Sequence, residues 1–388
     1  MEIIKNTLVA SLLSFLFVAC QINETVDVNN SFENNTSITK TISISSNNNT
    51  TLEDETSFFN DENSSYNSET NKSINSINNS LSKKVTIIPY FSKTSGAYYK
   101  DGVDIKIIED INNSKKSIHL ALYELTNKYI AKALIDAFNR GVEVKVFTDD
   151  QTRATEYEYF DELEEAGIPI EDDQNRYALM HNKFLIIDSN VTWTGSANYT
   201  VYAFYRNYEN LVKVKNTEVA AIYNQKFDYL YNHIDVTMPP SKVENVEIYF
   251  SPDDDFEEKI IELIDNSRKT IYFLAFAFTN DKIAEALVRA KERGVVVKGV
   301  FDEGQDEYQS GSDYQYLLDN GLDIKLDGSK YKLHSKVFIF DENTTITGSY
   351  NFTIKANDKN DENSLVIYDK NLTSAYVDNF NTIYSEAK

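Results

Sequence analysis

Apolar residues follow two regimes along the chain. After a short apolar run near the start, residues 21–84 carry few spaced apolar positions and are dominated by Asn, Ser, Thr, Asp and Glu. From Val85 onward the pattern turns dense and periodic. VTIIPYFS (85–92) and VEIYFS (246–251) read as strands. SIHLALYEL (117–125) and TIYFLAFAF (270–278) are mostly apolar runs of the kind buried parallel strands show. Amphipathic helices follow at 128–141 and 282–294, each ending in Gly at the expected C-cap position. VEVKVFTDD (142–150) and VVVKGVFDE (295–303) return to strand. This βαβ order predicts a mostly parallel sheet covered by helices.

Each of these elements occurs twice. His181 and His334, Gly141 and Gly294, Asp149 and Asp302, Gly195 and Gly348, and Glu209 and Glu362 all lie 153 residues apart. A period of that size is a duplicated domain and not a solenoid of short repeats. The expected fold class is α/β, a duplicated α-β-α sandwich with mostly parallel or mixed sheets. One copy spans 85–238 and the other 239–388, with the boundary near Met238-Pro239-Pro240.

Charge narrows the partners. The formal net charge of −23 disfavours a polyanionic polymer, because it lacks the electrostatic attraction behind non-specific DNA binding. The start of the chain points to export. Lys5 precedes an apolar run from Leu8 to Ala19, too short to span a bilayer but suited to a signal-peptide core. The run ends Phe17-Val18-Ala19-Cys20, which resembles a bacterial lipoprotein processing site, and Cys20 is the only cysteine. Residues 1–20 are thus expected to be a signal peptide with lipidation at Cys20, the alternative being an ordinary secretory signal. Residues 21–84 are expected to be a disordered tether, since they cannot bury enough apolar surface to offset their ordering entropy. The expected location is the cell envelope, membrane-anchored, or otherwise secreted or periplasmic.

The candidate chemistry lies in a repeated stretch, HNKFLIID (181–188) and HSKVFIFD (334–341). On a strand, residues i and i+2 share a face, so His181 projects with Lys183, and His334 with Lys336. Asp188 and Asp341 lie an odd number of residues from their histidines. Parity therefore places them at the strand end in a structural hydrogen-bonding role. Downstream, TGSAN (194–198) matches TGSYN (347–351), and NYEN (207–210) matches NDEN (360–363). Glu209 and Glu362 are the candidate carboxylates to orient the imidazoles, fixing the tautomer and freeing the other nitrogen for chemistry. His119 and His233 have no repeated partner and read as structural. Asp149 and Asp302 read as caps or as site residues, and Trp193 as core. No Cys pair, His-Glu-x-x-His or Asp-rich Gly loop suggests a metal.

H-x-K-x4-D, then G-S-x-N, then N-x-E, present twice over residues 85–388, resembles the phospholipase D superfamily. The resemblance implies two halves meeting at a pseudo-two-fold axis around one metal-free, cofactor-free active site in a monomer. It counts His181, Lys183, Asp188, His334, Lys336 and Asp341 as the catalytic set. It also implies attack on phosphorus by His181, giving a phosphohistidine, and acid then base catalysis by His334. Lys183, Lys336, Asn198 and Asn351 would hold the non-bridging oxygens, with Ser196 and Ser349 as further donors. The implied reaction is hydrolysis of phospholipids at a membrane surface to phosphatidic acid and an alcohol. Nucleic-acid cleavage and cardiolipin-synthase-like phosphatidyl transfer remain open alternatives, as does a non-catalytic lipoprotein that binds phosphate-bearing ligands.

Overall fold

The computed structural model describes residues 84–155, 157–308 and 311–388. The signal-peptide, Cys20 and tether expectations lie outside the described residues. The first repeat builds one seven-stranded sheet from β1 (Thr86–Phe91), β2 (Ser117–Leu122), β3 (Glu143–Thr148), β4 (Ile170–Asp172), β5 (Lys183–Ile187), β6 (Val191–Gly195) and β7 (Asn210–Lys215). Its order is β1-β7-β6-β5-β2-β3-β4.

The second repeat contributes β8 (Ser241–Val243), β9 (Val246–Ser251), β10 (Thr270–Ala275), β11 (Phe278–Thr279), β12 (Val296–Phe301), β13 (Asp323–Leu326), β14 (Lys336–Phe340), β15 (Thr344–Gly348), β16 (Phe352–Thr353) and β17 (Glu362–Tyr368). Eight of them form a sheet of order β13-β12-β10-β14-β15-β17-β9-β8, and β11 pairs with β16 separately.

Both sheets are mixed, and the parallel part is smaller than the βαβ pattern suggests. Only β2-β3-β4 and β10-β12-β13 run parallel within them. The remaining pairings are antiparallel, because β5 and β6 form a hairpin, as do β14 and β15, and β1 and β9 close against the last strand of their repeats.

The βαβ helices form where the periodicity places them. Asn127 caps helix Lys128–Asn139 by accepting from the Tyr129 and Ile130 N–H groups. The helix ends in a Schellman motif: Gly141 N donates to Phe138 O at 2.9 Å and Val142 N to Ala137 O at 3.1 Å. Gly141 takes φ 86°, which glycine adopts without a Cβ penalty. Helix Asp281–Glu292 ends the same way, through Gly294 N to Lys291 O and Val295 N to Ala290 O.

Three apolar cores result. Two are private: each packs one repeat's sheet against its outer helices. The third is shared. Helices Thr217–Tyr231 and Lys370–Glu386 bring Tyr223, Phe227, Tyr376 and Phe380 into contact with Phe184, Ile186, Val337 and Ile339 from the two sheets. Truncating a buried Phe in such a core costs about 3–5 kcal/mol. This shared layer fixes one repeat against the other, so the two sheets hold their chemistry in one frame. No described helix is long and apolar enough to cross a membrane.

Candidate active site

The sequence puts the histidines on strands, but β5 and β14 begin at the lysines. Each histidine sits just before its strand because its backbone pairs with the other repeat. His181 N donates to Asp361 O at 2.9 Å, and His334 N donates to Tyr208 O at 3.0 Å. Met180 bridges Asp361 and Tyr208 bridges Leu333 in the same exchange. Such reciprocal contacts, residue to residue with a 153-residue offset, are those of an isologous two-fold interface.

The exchange carries the carboxylates across. His181 Nδ1 lies 2.8 Å from Glu362 Oε2, and His334 Nδ1 lies 2.9 Å from Glu209 Oε1. Each imidazole is thus oriented by the glutamate of the opposite repeat. A carboxylate at Nδ1 places the ring proton there and leaves Nε2 as the reactive nitrogen. Ser196 Oγ donates to Glu209 Oε2 and Ser349 Oγ to Glu362 Oε2, both at 2.6 Å. Asn207 and Asn360 donate more weakly to the same carboxylates, at 3.4 Å.

Two sequence assignments are corrected here. Ser196 and Ser349 are fully buried and spend their hydroxyl protons on the glutamates, so they do not hold a phosphate oxygen. Asp188 and Asp341 are not catalytic. Asp188 accepts from the N–H groups of Lys115, Lys116 and Ser117, and Asp341 from those of Arg268, Lys269 and Thr270. Both take positive φ in a hairpin turn, a conformation that Asp tolerates. Their role is to tie the β5–β6 and β14–β15 turns to the starts of β2 and β10.

Lys183 Nζ donates to His181 O at 2.7 Å, and Lys336 Nζ to His334 O at 2.5 Å. Burial pulls both ammonium groups down, Lys183 to about 8 and Lys336 to about 7, against the raising pull of Glu362 and Glu209. Burial likewise holds both imidazoles well below their ordinary value, with Glu362 and Glu209 opposing it. Burial pushes the Glu209 carboxyl up, but His334, Lys336 and Ser196 outweigh it and hold it low.

Asn198 and Asn351 line the same cleft as both histidines, a space of about 520 Å³. Their Oδ1 atoms are buried and accept no hydrogen bond among the described residues. Asn198 Nδ2 is held by Glu124 Oε2 at 2.8 Å.

Several contributors were not singled out in the sequence. Tyr123 and Phe276 stand edge-on to His181 and His334, with centroids 5.2 and 4.6 Å away. Lys183 and Lys336 lie over the same two rings. Asn210 and Asn363 accept from Thr347 and Thr194 of the opposite repeat, and Tyr376 and Tyr223 reach the same oxygens. All recur at the 153-residue offset, which was the available signal.

Asp149 and Asp302 cap short helices and accept from Met180 N and Leu333 N, so they set the approach to each histidine. Asp149, Asp150 and Asp173 lie close enough to hold a cation, but both Asp149 oxygens already accept N–H groups. His119 is wedged between Asn224 and Glu143 and stacks on Phe227. His233 is exposed beside Glu171. Trp193 is core, its Nε1 donating to Asp110.

A family model described as cardiolipin synthase, PLD-like domain, matches residues 107–231 and again 260–384. The chain belongs to the phospholipase D superfamily. It is similar to mitochondrial cardiolipin hydrolase of Xenopus laevis, 29% identical over 137 residues, which cover 35% of this chain and 65% of that protein. It is also similar to phospholipase D of Rickettsia typhi, 31% identical over 144 residues, covering 37% and 70%. The chain thus spans just under two thirds of the cardiolipin hydrolase. Phosphatidylserine synthase of Haemophilus influenzae Rd KW20 superimposes with a TM-score of 0.59 at 16% identity, covering 81% of this chain and 91% of that one. At that identity the likeness is one of fold. Within the superfamily, the crossed His–Glu pairs place this chain's two half-sites in a single polypeptide.

Proposed function

We propose that this protein is a phospholipase D-type phosphodiesterase that hydrolyses phospholipids through a phosphohistidine. The observation that carries the reading is the meeting of two buried His–Glu pairs at one cleft, each histidine backed by a buried lysine that donates to its carbonyl. In the first step the Nε2 lone pair of His181 attacks phosphorus. The bond to the leaving oxygen breaks, and that oxygen takes a proton from His334 Nε2. In the second step water adds to phosphorus and gives its proton to His334. The P–N bond breaks, its electrons return to His181, and phosphatidic acid departs. Choosing His181 as the first nucleophile follows the family pattern; the two half-sites are alike in their His–Glu–Ser contacts.

Charge balance explains how His334 acquires the proton it must donate. In the free site burial keeps both imidazoles neutral. A bound anionic phosphodiester adds negative charge, and once the His181 Nε2 lone pair is directed at phosphorus, that charge raises the proton affinity of His334 beside the leaving oxygen. Substrate binding then loads the acid. Lys183, Lys336, Asn198 and Asn351 would hold the charge that grows on the non-bridging oxygens.

Lipid is favoured over nucleic acid by the net charge of −23 and by a carboxylate, Glu124, in the cleft wall. The apolar run ahead of Cys20 supports a membrane-anchored, exported enzyme acting at a lipid surface. The test is a release assay on vesicles of phosphatidylcholine, phosphatidylethanolamine and cardiolipin, run beside single-stranded DNA. Lipid turnover that survives EDTA and disappears in His181→Ala and His334→Ala is expected. DNA cutting without lipid turnover would overturn the substrate assignment.

A further inference from the structure

The two half-sites differ at several positions in the cleft wall, and one of these differences places a carboxylate beside Asn198. Asn198 and Asn351 are equivalent, and so are the residues behind them, Glu124 and Ala277. Glu124 gives one oxygen to Asn198, while no hydrogen bond among the described residues engages the other. The other carboxylates lining this side of the cleft, Glu209 and Asp302, are committed. Glu209 bonds His334 and Ser196, and Asp302 accepts from Gln305 N and Leu333 N. Glu124 therefore brings a negative charge toward the bound substrate that its counterpart, Ala277, lacks.

Its position relative to the reaction decides what that charge meets. Attack by His181 expels the leaving oxygen on the far side of phosphorus, toward His334. A lobe of about 410 Å³ opens there, lined by His334 and Glu124 but not by His181. Tyr202 and Tyr331 also line it, their rings 6.1 Å apart and edge-to-face. The Tyr331 ring already faces Lys330 and Arg206, which leaves Tyr202 as the aromatic face that, beside a carboxylate, favours a cation. Lys330 and Lys332 line the lobe too, but their ammonium groups lie over the Tyr331 and Phe276 rings. The volume suits a small alcohol.

We propose that Glu124 determines specificity by selecting a phosphodiester whose leaving alcohol carries an ammonium group, seated in the lobe between Glu124 and Tyr202. The proposal rests on the reading above in which His181 attacks and His334 protonates the leaving group.

Glu124→Gln tests it, because the amide oxygen still accepts from Asn198 and only the charge is lost. Two soluble short-chain lipids are compared, phosphatidylethanolamine and phosphatidylglycerol. The variant is expected to lose about tenfold in kcat/KM on the ethanolamine lipid, the worth of one hydrogen bond to a charged group. On the glycerol lipid the loss is expected to be several-fold smaller, since an uncharged alcohol makes no ion pair with Glu124 and only the shared effect through Asn198 remains. An equal loss on both, or no change on either, would overturn the proposal. A second arm needs no lipid. Ethanolamine is expected to inhibit hydrolysis of bis(para-nitrophenyl) phosphate by the wild type, and to do so several-fold more weakly in the variant, while glycerol inhibits neither. A wild type that cleaves the nitrophenyl diester but neither lipid would sink the phospholipid reading. The inhibition arm would then decide Glu124 by itself, and equal inhibition of both proteins would end the proposal.

Discussion

The Nδ1 of His181 and the carboxylate of Glu362 are 2.8 Å apart, although 181 residues of chain separate them. The imidazole comes from one repeat and its orienting group from the other, and the pair His334–Glu209 repeats the arrangement. Neither half carries a complete site. Glu362→Gln is expected to lower turnover by about two to four orders of magnitude, the usual worth of a positioned acid–base group. Because Glu362 acts through His181, the double variant with His181→Ala should be no slower than His181→Ala alone. Additive losses in a double-mutant cycle would show that Glu362 acts elsewhere.

Asp341 belongs to the turn. Burial raises its carboxyl, but the N–H groups of Thr270, Arg268 and Lys269 outweigh this and hold it below the ordinary value. Its contribution to stability is thus present above the unfolded carboxylate range and is lost as pH falls through the folded one. Asp341→Ala is expected to cost about 1–2 kcal/mol at neutral pH, less in acid, with kcat changed only a few-fold. Denaturant melts at two pH values, with turnover measured on the same samples, check this. A collapse of kcat with unchanged stability would return Asp341 to the catalytic set.

The lysines give the site a pH signature. Lys336 and Lys183 are lowered to about 7 and about 8, so both are charged in mild acid and lose their protons as pH rises through those values. Affinity for tungstate, a phosphate mimic, is expected to weaken as pH climbs from about 6 to about 9, with net proton uptake on binding near the middle of that range. Titration calorimetry in buffers of different ionisation enthalpy measures both. A pH-independent affinity would mean the lysines do not face the anion.

Gly348 takes φ 156°, and a Cβ there would overlap Asn363 O and Ser364 Cα on the neighbouring strand. Gly348→Ala is expected to lower the melting temperature, at a cost of about 1–3 kcal/mol for the strained backbone alone. It should also weaken turnover, because β17 carries Glu362 as its first residue. An unaltered melt would show that the strands part without cost.

Much of this was written along the chain. The helix caps at Gly141 and Gly294, the paired strands and the duplication follow from local periodicity and a fixed offset. Parity took Asp188 and Asp341 off the faces of Lys183 and Lys336, but it put His181 and His334 on the strands, and they sit just before them. Parity could not say that Ser196 and Ser349 would serve the glutamates, since a hydroxyl suits a carboxylate and a phosphate alike. Nor could the βαβ pattern foresee how much of each sheet runs antiparallel, because hairpin closure at Asp188 and Asp341 is a matter of turn geometry. The crossing of Glu209 and Glu362 to the opposite histidines was decided only in three dimensions. A period-two pattern fixes which residues share a strand face. Which strand ends meet is set by the docking of two sheets through helices Thr217–Tyr231 and Lys370–Glu386, whose buried faces act across more than a hundred residues of chain.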